Sequence, residues 1–367
     1  MLSALHNLPL RIRTGERTTS VLADLSGPPS AGQRTIILRA DMDALPLQED
    51  TDVPYKSALL GRMHACGHDA HTAMLAGAAR LLARHQAELA GTVRFMFQPG
   101  EEGYAGAQVM LDEGLLDAPA SGDDPPSAAF ALHCTPRWSA GTVLTRPGPI
   151  LASTDNFSIV IRGRGGHASA PHMAADPVPV ACEVVLALQT FVTRSVNIFA
   201  PGVLTVGRIE AGTATNIIPE VATLEGTVRT LSPLTRSTIV EGLQRVAHGV
   251  ASAHGLEADV HVEAGYPVTV NDAAFARFVI EVGQRVLGVQ KAVEQPSPQM
   301  AAEDFAYVLE HIPGAMSSLG TCPPGYEEGQ APNAHSNRYL VNEEAMVSGI
   351  AMYAAVALAY LHNASVS

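Results

Sequence analysis

Three short apolar runs, each ending in acid or imidazole and separated by helical stretches, constrain this 367-residue chain more than any other feature. "TIILRADMD" (35–43) reads as a buried strand, and "HTAMLAGAARLLARHQAEL" (71–89) carries apolar residues at helical spacing. "TVRFMFQPGEEG" (92–103) is a second apolar run ending in charge, and "YAGAQVMLDEG" (104–114) is a helix closed by Gly114. "AAFALHC" (128–134) is a third strand. This alternation predicts an α/β layer built on a sheet. Ala, Val and Leu are abundant and aromatics make up only 5% of residues, which suits helices packed on strands.

The style changes near residue 150. "DNFSIVIRGRG" alternates as a half-exposed strand, and Pro177 opens the helix "PVPVACEVVLALQTFV" where proline is tolerated. Strands "GVLTVGRIE" and "ATLEGTVRTL", a helix from Pro233 and the strand "EADVHVEAG" follow. That βαββαβ order matches a ferredoxin-like unit. Long helices then resume with "NDAAFARFVIEVGQRVLG" and the apolar C-terminal segment. The expectation is a discontinuous α/β domain, 1–150 and 265–367, interrupted by an inserted ferredoxin-like domain at 151–264. The stretches "SGPPSAGQ" (26–33) and "SGDDPPS" (121–127) are the expected flexible loops.

Charge and composition exclude several classes. A net charge of −13 disfavours a surface that tracks phosphates, so nucleic acid is not an expected partner. No basic segment precedes an apolar one at the N-terminus. The apolar segment "AMVSGIAMYAAVALAYL" carries Gly and Ser and falls just short of spanning length, which predicts a buried helix and no membrane association. Four scattered cysteines are too few for a disulfide scaffold, so a cytoplasmic, reducing compartment is expected.

The chemistry collects at the carboxyl ends of the three strands, where ligands bind in open α/β sheets. Asp41 and Asp43 end the first, Glu101 and Glu102 the second, and His133 the third. Cys66, His68, Asp69 and His71 of "MHACGHDAHTAM" (63–74) follow the first strand closely enough to face the same crevice. Singly, each has an ordinary reading: a free cysteine as a small buried hydrophobe, or acids at a helix start. Together on one edge, carboxylates and imidazoles are costly to crowd unless a cation neutralises them. Thiolate and imidazole suit Zn, and carboxylates admit harder ions such as Mn or Co. More than four candidate ligands imply two metals, typically about 3.5–4 Å apart in hydrolases. Of two adjacent glutamates, one can bind metal while the other takes a proton from water, whose pKa a metal lowers to about 7.

These residues resemble the dinuclear metallo-amidohydrolases of the aminoacylase and carboxypeptidase G type. Within that family the chain is most similar to the subfamily holding hippurate hydrolases, N-acetyl-diaminopimelate deacetylases and auxin-conjugate hydrolases. The matching segments are "RADMDALP", "MHACGHDAHTAML", "QPGEEG", "ALHC", "GRGGHASAPH", "NIIPE", "GTVRT", "AEDFAY" and "NAHSNRY", in the family's order and over nearly the whole chain. The resemblance implies that the inserted domain is a lid or dimerisation domain and that the protein is a homodimer or higher homo-oligomer. It implies two divalent ions (Zn, Mn, Co or Ni) held by Cys66, His68, Glu102, His133 and His335. Glu101 becomes the general base and Asp43 the carboxylate that orients a ligand. His167 becomes the group that stabilises an oxyanion in a neighbouring subunit's site. Asn216 and Arg229 would hold the substrate's α-carboxylate, although a cross-strand salt bridge is the ordinary role for Arg229. The implied reaction is hydrolysis of a small N-acyl or N-aroyl amino acid to a carboxylic acid and a free amino acid.

The chain departs from the family in places. It opens close to the family's first strand, without the customary opening helix. Tyr104 stands where a small residue is usual and is expected to narrow the acyl pocket. "HSNRY" replaces "HSPxF" and "AEDF" replaces "SEDF", with no role assigned to Glu303 or Asp304. Two rival readings remain open: an amidase using Cys66 as nucleophile with a histidine base, and an idle homologue that binds acyl amino acids without turning them over.

Overall fold

The structure is a computed structural model describing residues 1–29 and 33–362, so part of the first expected flexible loop lies outside the described residues. The chain divides into two compact units. One comprises Met1–Ile150, Thr269–Ser297 and the segment from Asp304 on; the other comprises Leu151–Val268 and Pro298–Glu303.

The first unit is built on an eight-stranded mixed sheet. Its strands β1 (Arg11–Thr14), β2 (Val21–Ser26), β3 (Arg34–Asp41), β4 (Gly91–Gln98) and β5 (Pro126–Thr135) lie in the order β1-β2-β4-β3-β5. Gly314–Gly320, Val143–Thr145 and Ala292–Glu294 continue it. β3 runs parallel to both β4 and β5, and Gly314–Gly320 runs parallel to β5. Four carboxyl ends therefore open on one edge. All eight residues of β4 are buried, as central parallel strands require.

Along β3 the side chains alternate. Ile36, Leu38 and Ala40 join a core with Met74, Leu75, Ala78 and Leu82 of the helix His68–Arg84 and with Tyr353 and Val356 of the helix Ala345–His362. Arg39 and Asp41 fall between those positions and are also fully buried.

The helix His68–Arg84 starts three residues earlier than its apolar spacing predicts. Gly67, at φ +82°, takes the left-handed turn that lets a helix begin directly behind Cys66. A Cβ on Gly67 would lie 2.9 Å from the Tyr339 hydroxyl and 3.2 Å from Cys134 Cβ. The expected helix at 104–114 is shorter, Gly106–Asp112. The strand "GAMSSLG" was not expected, because Gly, Ala and Ser give no strand signal even though all seven residues are buried. The loop at 121–127 is tied down: Asp123 Oδ2 accepts from Thr92 Oγ1 at 2.5 Å and from Ser121 Oγ at 2.9 Å.

The second unit is a four-stranded antiparallel sheet with two helices. Its strands Ser153–Arg162, Gly202–Ala211, Val221–Thr230 and Glu257–Ala264 are the first to fourth of that sheet in sequence, and they lie side by side as second, third, first, fourth. The helices Pro177–Ser195 and Pro233–Ala253 each begin with proline behind a capping side chain, Asp176 and Ser232. Phe157, Ile159 and Ile161 alternate inward against Val184, Leu188, Ile239 and Leu243. The distant segment Pro298–Glu303 joins this unit through the bond from Ala152 N to Ala301 O, at 2.8 Å. Pro177–Ser195 and Ala345–His362 are long and apolar enough to cross a membrane by length and composition, and each buries residues in the core of its own unit.

Tyr353 fastens the C-terminal helix to the middle of the large sheet. Its hydroxyl donates to Arg39 O at 2.7 Å and accepts from Leu132 N at 3.2 Å, so it joins β3 to β5 in a dry core. Tyr353→Phe leaves a buried carbonyl and a buried N–H without that partner and should cost about 1–3 kcal/mol. Urea denaturation checks this: the midpoint falls with the slope unchanged, and an unaltered midpoint would show that the hydroxyl is not a stabilising link.

Candidate metal centre

Because β3, β4 and β5 are parallel, the residues just past their ends meet. Asp43 follows β3, Glu101 and Glu102 follow β4, and His133 lies near the end of β5. Cys66 and His68 flank Gly67 at the start of the histidine helix. His335 comes from a loop in which its own backbone is left-handed, at φ +68°, held by the bond from its N–H to Ala65 O at 2.8 Å.

The potential ligand atoms of Cys66, His68 and His133 lie within 4.8 Å of one another, as do those of Cys66, Glu102 and His335 and those of His68, Glu101 and Glu102. Cys66 Sγ is 3.5 Å from His133 Nε2, and His335 Nε2 is 3.1 Å from Glu102 Oε1. Both ring nitrogens of His68 are buried without a formed hydrogen bond, their carboxylate neighbours Asp43 and Asp41 standing 3.5 and 3.7 Å off, and the buried Oε1 of Glu102 meets the His335 ring. Buried polar atoms are rarely left without a bond. Such donor atoms beside a thiol and two more imidazoles fit a site for divalent ions of the N/S/O type.

The surrounding bonds decide which histidines can serve. His71, three residues after His68, is fully buried; its Nε2 accepts from Cys134 N at 2.7 Å, so its proton sits on Nδ1, 2.5 Å from Asp41 Oδ1. Both nitrogens are thus committed, and His71 is a support for Asp41 and β5 rather than a ligand. His133 is the opposite case: Nδ1 bonds Cys134 O at 2.8 Å, which leaves the Nε2 lone pair facing Cys66. Sequence reasoning gave His71 no separate role. The signal was present in the i, i+3 spacing of "HDAH", which puts both rings on one helix face.

Asp43 works on the glutamate pair. Its Oδ1 accepts from Glu101 N and its Oδ2 from Glu102 N, each at 3.0 Å, with His68 Nδ1 3.5 Å from Oδ1. Burial alone would raise the Asp43 carboxyl, but His68 and the two amides outweigh it and hold it below its ordinary value. Asp41 lies deeper: burial opposes its charge, and His68, Arg39 and His71 together keep it well below the usual carboxylate range. His68 shows the converse. Burial would lower it, yet Asp41 and Asp43 lift it to about 9. His71 is pulled by burial to about 4 despite Asp41. His335 is raised, first by Glu102.

The remaining expected site residues, His167, Asn216 and Arg229, belong to the second unit. His167 is exposed, and its Nδ1 accepts from Ser169 N at 3.1 Å, so its neutral form carries the proton on Nε2. Gly166–His167 pairs with Ile217–Ile218, and Ala168 N donates to the carbonyl of exposed Asn216 at 3.1 Å. Arg229 is half-buried, its pKa lowered by desolvation, and among the described residues it has no ion pair; its one bond runs to Met300 O at 3.4 Å. Tyr104 is 80% exposed, its ring out in solvent.

Comparison with known proteins gives the same direction. The family model described as peptidase family M20/M25/M40 matches residues 37–359. An N-acetylcysteine deacetylase of Bacillus subtilis is 39% identical over 345 residues, covering 94% of this chain and 86% of its own length. The IAA-amino acid hydrolase ILR1-like 4 of Arabidopsis thaliana is 39% identical over 89% of this chain and 73% of its own. Among solved structures, a Bacillus subtilis protein described as a dinuclear metal binding peptidase superposes with a TM-score of 0.83 at 35% identity, covering 99% of this chain and 90% of that one. The class these define is that of metal-dependent hydrolases acting on amide bonds. Within it, the chain belongs to peptidase family M20/M25/M40.

The two buried histidines shape stability against pH in the metal-stripped protein. His71 resists protonation when folded, so stability rises as pH climbs from about 4 to its unfolded value near 6.5. His68 binds its proton more tightly when folded, so its contribution is complete below 6.5 and is lost as pH rises towards about 9. Denaturation of stripped protein across that range should give a dome peaking near pH 6.5, between those windows. Stability that keeps rising to pH 9 would contradict this assignment of His68.

Proposed function

We propose that the protein hydrolyses small N-acyl or N-aroyl amino acids, releasing a carboxylic acid and a free amino acid, with two divalent cations held by Cys66, His68, Glu102, His133 and His335. The observation that carries this reading is the convergence of the donor atoms of those five residues in overlapping groups within 4.8 Å, around a buried His68 ring that forms no hydrogen bond of its own. The ions would come from Zn, Mn, Co and Ni, all of which accept mixed sulfur, nitrogen and oxygen donors. When bound, such a pair lowers the pKa of a water and polarises the scissile carbonyl.

The chain's own groups do the rest. Glu101, buried beside Glu102 and His68, takes the proton of the attacking water and delivers it to the departing amine. Asp43 fixes both glutamates through their amides. His167, whose Nε2–H is left free to donate, stabilises the oxyanion of the tetrahedral intermediate, reaching a neighbouring subunit's site. Arg229, desolvated and without a carboxylate partner among the described residues, and Asn216 hold the substrate's free α-carboxylate. On this reading the second unit is a lid and dimerisation domain, and the enzyme works in the cytoplasm. Tyr104 then lies past the glutamate pair as a rim to the acyl site rather than its floor.

The 3.5 Å approach of Cys66 Sγ to His133 Nε2 favours one other reading, a cysteine nucleophile with a histidine base. It leaves Glu101, Glu102 and His335 without a task.

Glu101→Gln separates base from ligand. Metal content and substrate KM should stay near wild type while kcat falls about 10²- to 10⁴-fold. Near-normal turnover in that variant would remove Glu101 from the mechanism.

A further inference from the structure

The buried carboxylate of Asp304 has no place in the reaction described above, yet it accepts bonds from Gln98 and Ala107, at the two ends of the segment that carries the glutamate pair. We propose that Asp304 is a positioning residue: it clasps the two ends of the Glu101–Glu102 loop and, through Arg39, ties that loop to Asp41 beneath the histidines. The inference rests on the reading that Glu101 and Glu102 do the chemistry.

The loop needs a clasp for reasons visible in its backbone. It leaves the sheet at Gln98, the last residue of β4, and re-enters regular structure at Gly106. Between them the chain turns through the left-handed region three times, at Gly100 (φ +72°), Gly103 (φ +88°) and Ala105 (φ +51°). Glycine adopts that conformation freely, but alanine does so only against a steric penalty. The neck of the loop is pinched so tightly that a Cβ on Gly106 would fall 1.7 Å from Pro99 O, and Gly106 N donates to Gly100 O at 3.0 Å.

Asp304 bridges this neck from one side. Gln98 Nε2 donates to its Oδ1 at 2.7 Å and to its Oδ2 at 2.8 Å, and Ala107 N donates to Oδ2 at 2.9 Å. One carboxylate thus holds the residue that ends the strand and the residue just inside the helix. Asp43 does the complementary work at the tip, on the amides of Glu101 and Glu102. Because the two glutamates are adjacent, any rotation of the loop moves both, and the one cannot be placed without the other.

Arg39 supplies the charge that makes this carboxylate tolerable in a dry interior. Its Nη2 donates to Asp304 Oδ1 at 3.2 Å, its Nε to Gln98 Oε1 at 2.9 Å and its Nη1 to Asp41 Oδ2 at 2.8 Å, and all four side chains are fully buried. The guanidinium also lies over the Phe305 ring, 5.6 Å from its centroid. Asp41 in turn holds His71 and faces His68. The loop bearing the glutamates and the helix bearing His68 are therefore referenced to one planar cation, whose rigid fork fixes relative positions as a flexible lysine would not.

Asp304→Asn tests this. It keeps the shape, removes the charge and turns one acceptor into a donor facing Gln98 and Arg39. Three quantities are read on the full-length protein: kcat and KM, equilibrium binding of Mn(II) or Zn(II) alone, and amide hydrogen exchange of the metal-free protein over residues 99–107 and over the C-terminal helix. A positioning role predicts metal affinity weaker by about 10- to 100-fold and kcat lower by roughly 10²-fold. KM should move by no more than about threefold, and exchange should quicken over 99–107 while the C-terminal helix stays protected. Asp24→Asn, which breaks the Asp24–Arg94 pair elsewhere on the sheet, serves as the comparison: it should lower stability without these changes.

If Asp304→Asn folds and matches wild type in metal affinity, kcat and loop exchange, the proposal is overturned whatever its melting temperature, and the functional reading stands. If it does not fold, Gln98→Leu removes the same bridge from its other end with the carboxylate kept, and the same readouts decide. Should wild type itself bind no divalent ion, the functional reading fails. The exchange comparison still decides the clasp: faster local exchange supports it and unchanged exchange refutes it.

Discussion

Negative charge gathered at the carboxyl edge of three parallel strands is the constraint on which the rest of the first unit depends. Asp41, Asp43, Glu101, Glu102 and Asp304 all come to that edge or just beneath it, and Asp41, Glu101 and Asp304 are buried. Water cannot screen them there, and ions of like sign in a low-dielectric interior repel strongly. Arg39 answers Asp41 and Asp304, and backbone amides answer Asp43. What remains is a set of donor atoms on His68, Glu102, His133, His335 and the Cys66 sulfur, drawn together in overlapping groups within 4.8 Å. Divalent cations are the economical completion of such a site.

How much of this was legible in the sequence follows from the range of each signal. Strand–helix alternation is a local pattern, and so the apolar runs of β3, β4 and β5 could be read, along with the chemistry at their ends. The cluster around Cys66 was visible because its members are neighbours in the chain. Long-range partnerships were not. Nothing near "AEDF" announces that Asp304 bonds a glutamine some two hundred residues away, and the strand Gly314–Gly320 hid behind small residues that carry no strand propensity. His71 sat among the expected ligands with no role of its own, and its bonds to Cys134 N and Asp41 show that it has no free nitrogen to offer. The left-handed turns at Gly67 and His335 are likewise set by what surrounds them: a tyrosine hydroxyl packed against the one, a carbonyl accepting the N–H of the other.

The second unit adds groups of a different character. Its exposed His167 is prepared as a donor by the Ser169 amide, and its half-buried Arg229 has no carboxylate partner among the described residues. Desolvating a guanidinium without neutralising it is unfavourable, and an anionic ligand relieves that cost. On the functional reading, the ligand is an N-acyl amino acid. Its amide carbonyl needs an electrophilic site and a base, and its free carboxylate needs a cation held away from water.

The measurement that tests the central claim most directly combines metal analysis with turnover. Purified protein would be assayed on acetyl, benzoyl and indoleacetyl amino acids as isolated, after chelation, and after adding back Zn, Mn, Co or Ni singly, with bound metal counted in each state. The account predicts about two ions per chain in the active form, loss of hydrolysis on chelation, and its return with at least one of the four ions. Hydrolysis that persists in fully stripped protein and disappears only on alkylation of Cys66 would contradict it and make the thiol, not a metal centre, the seat of the reaction.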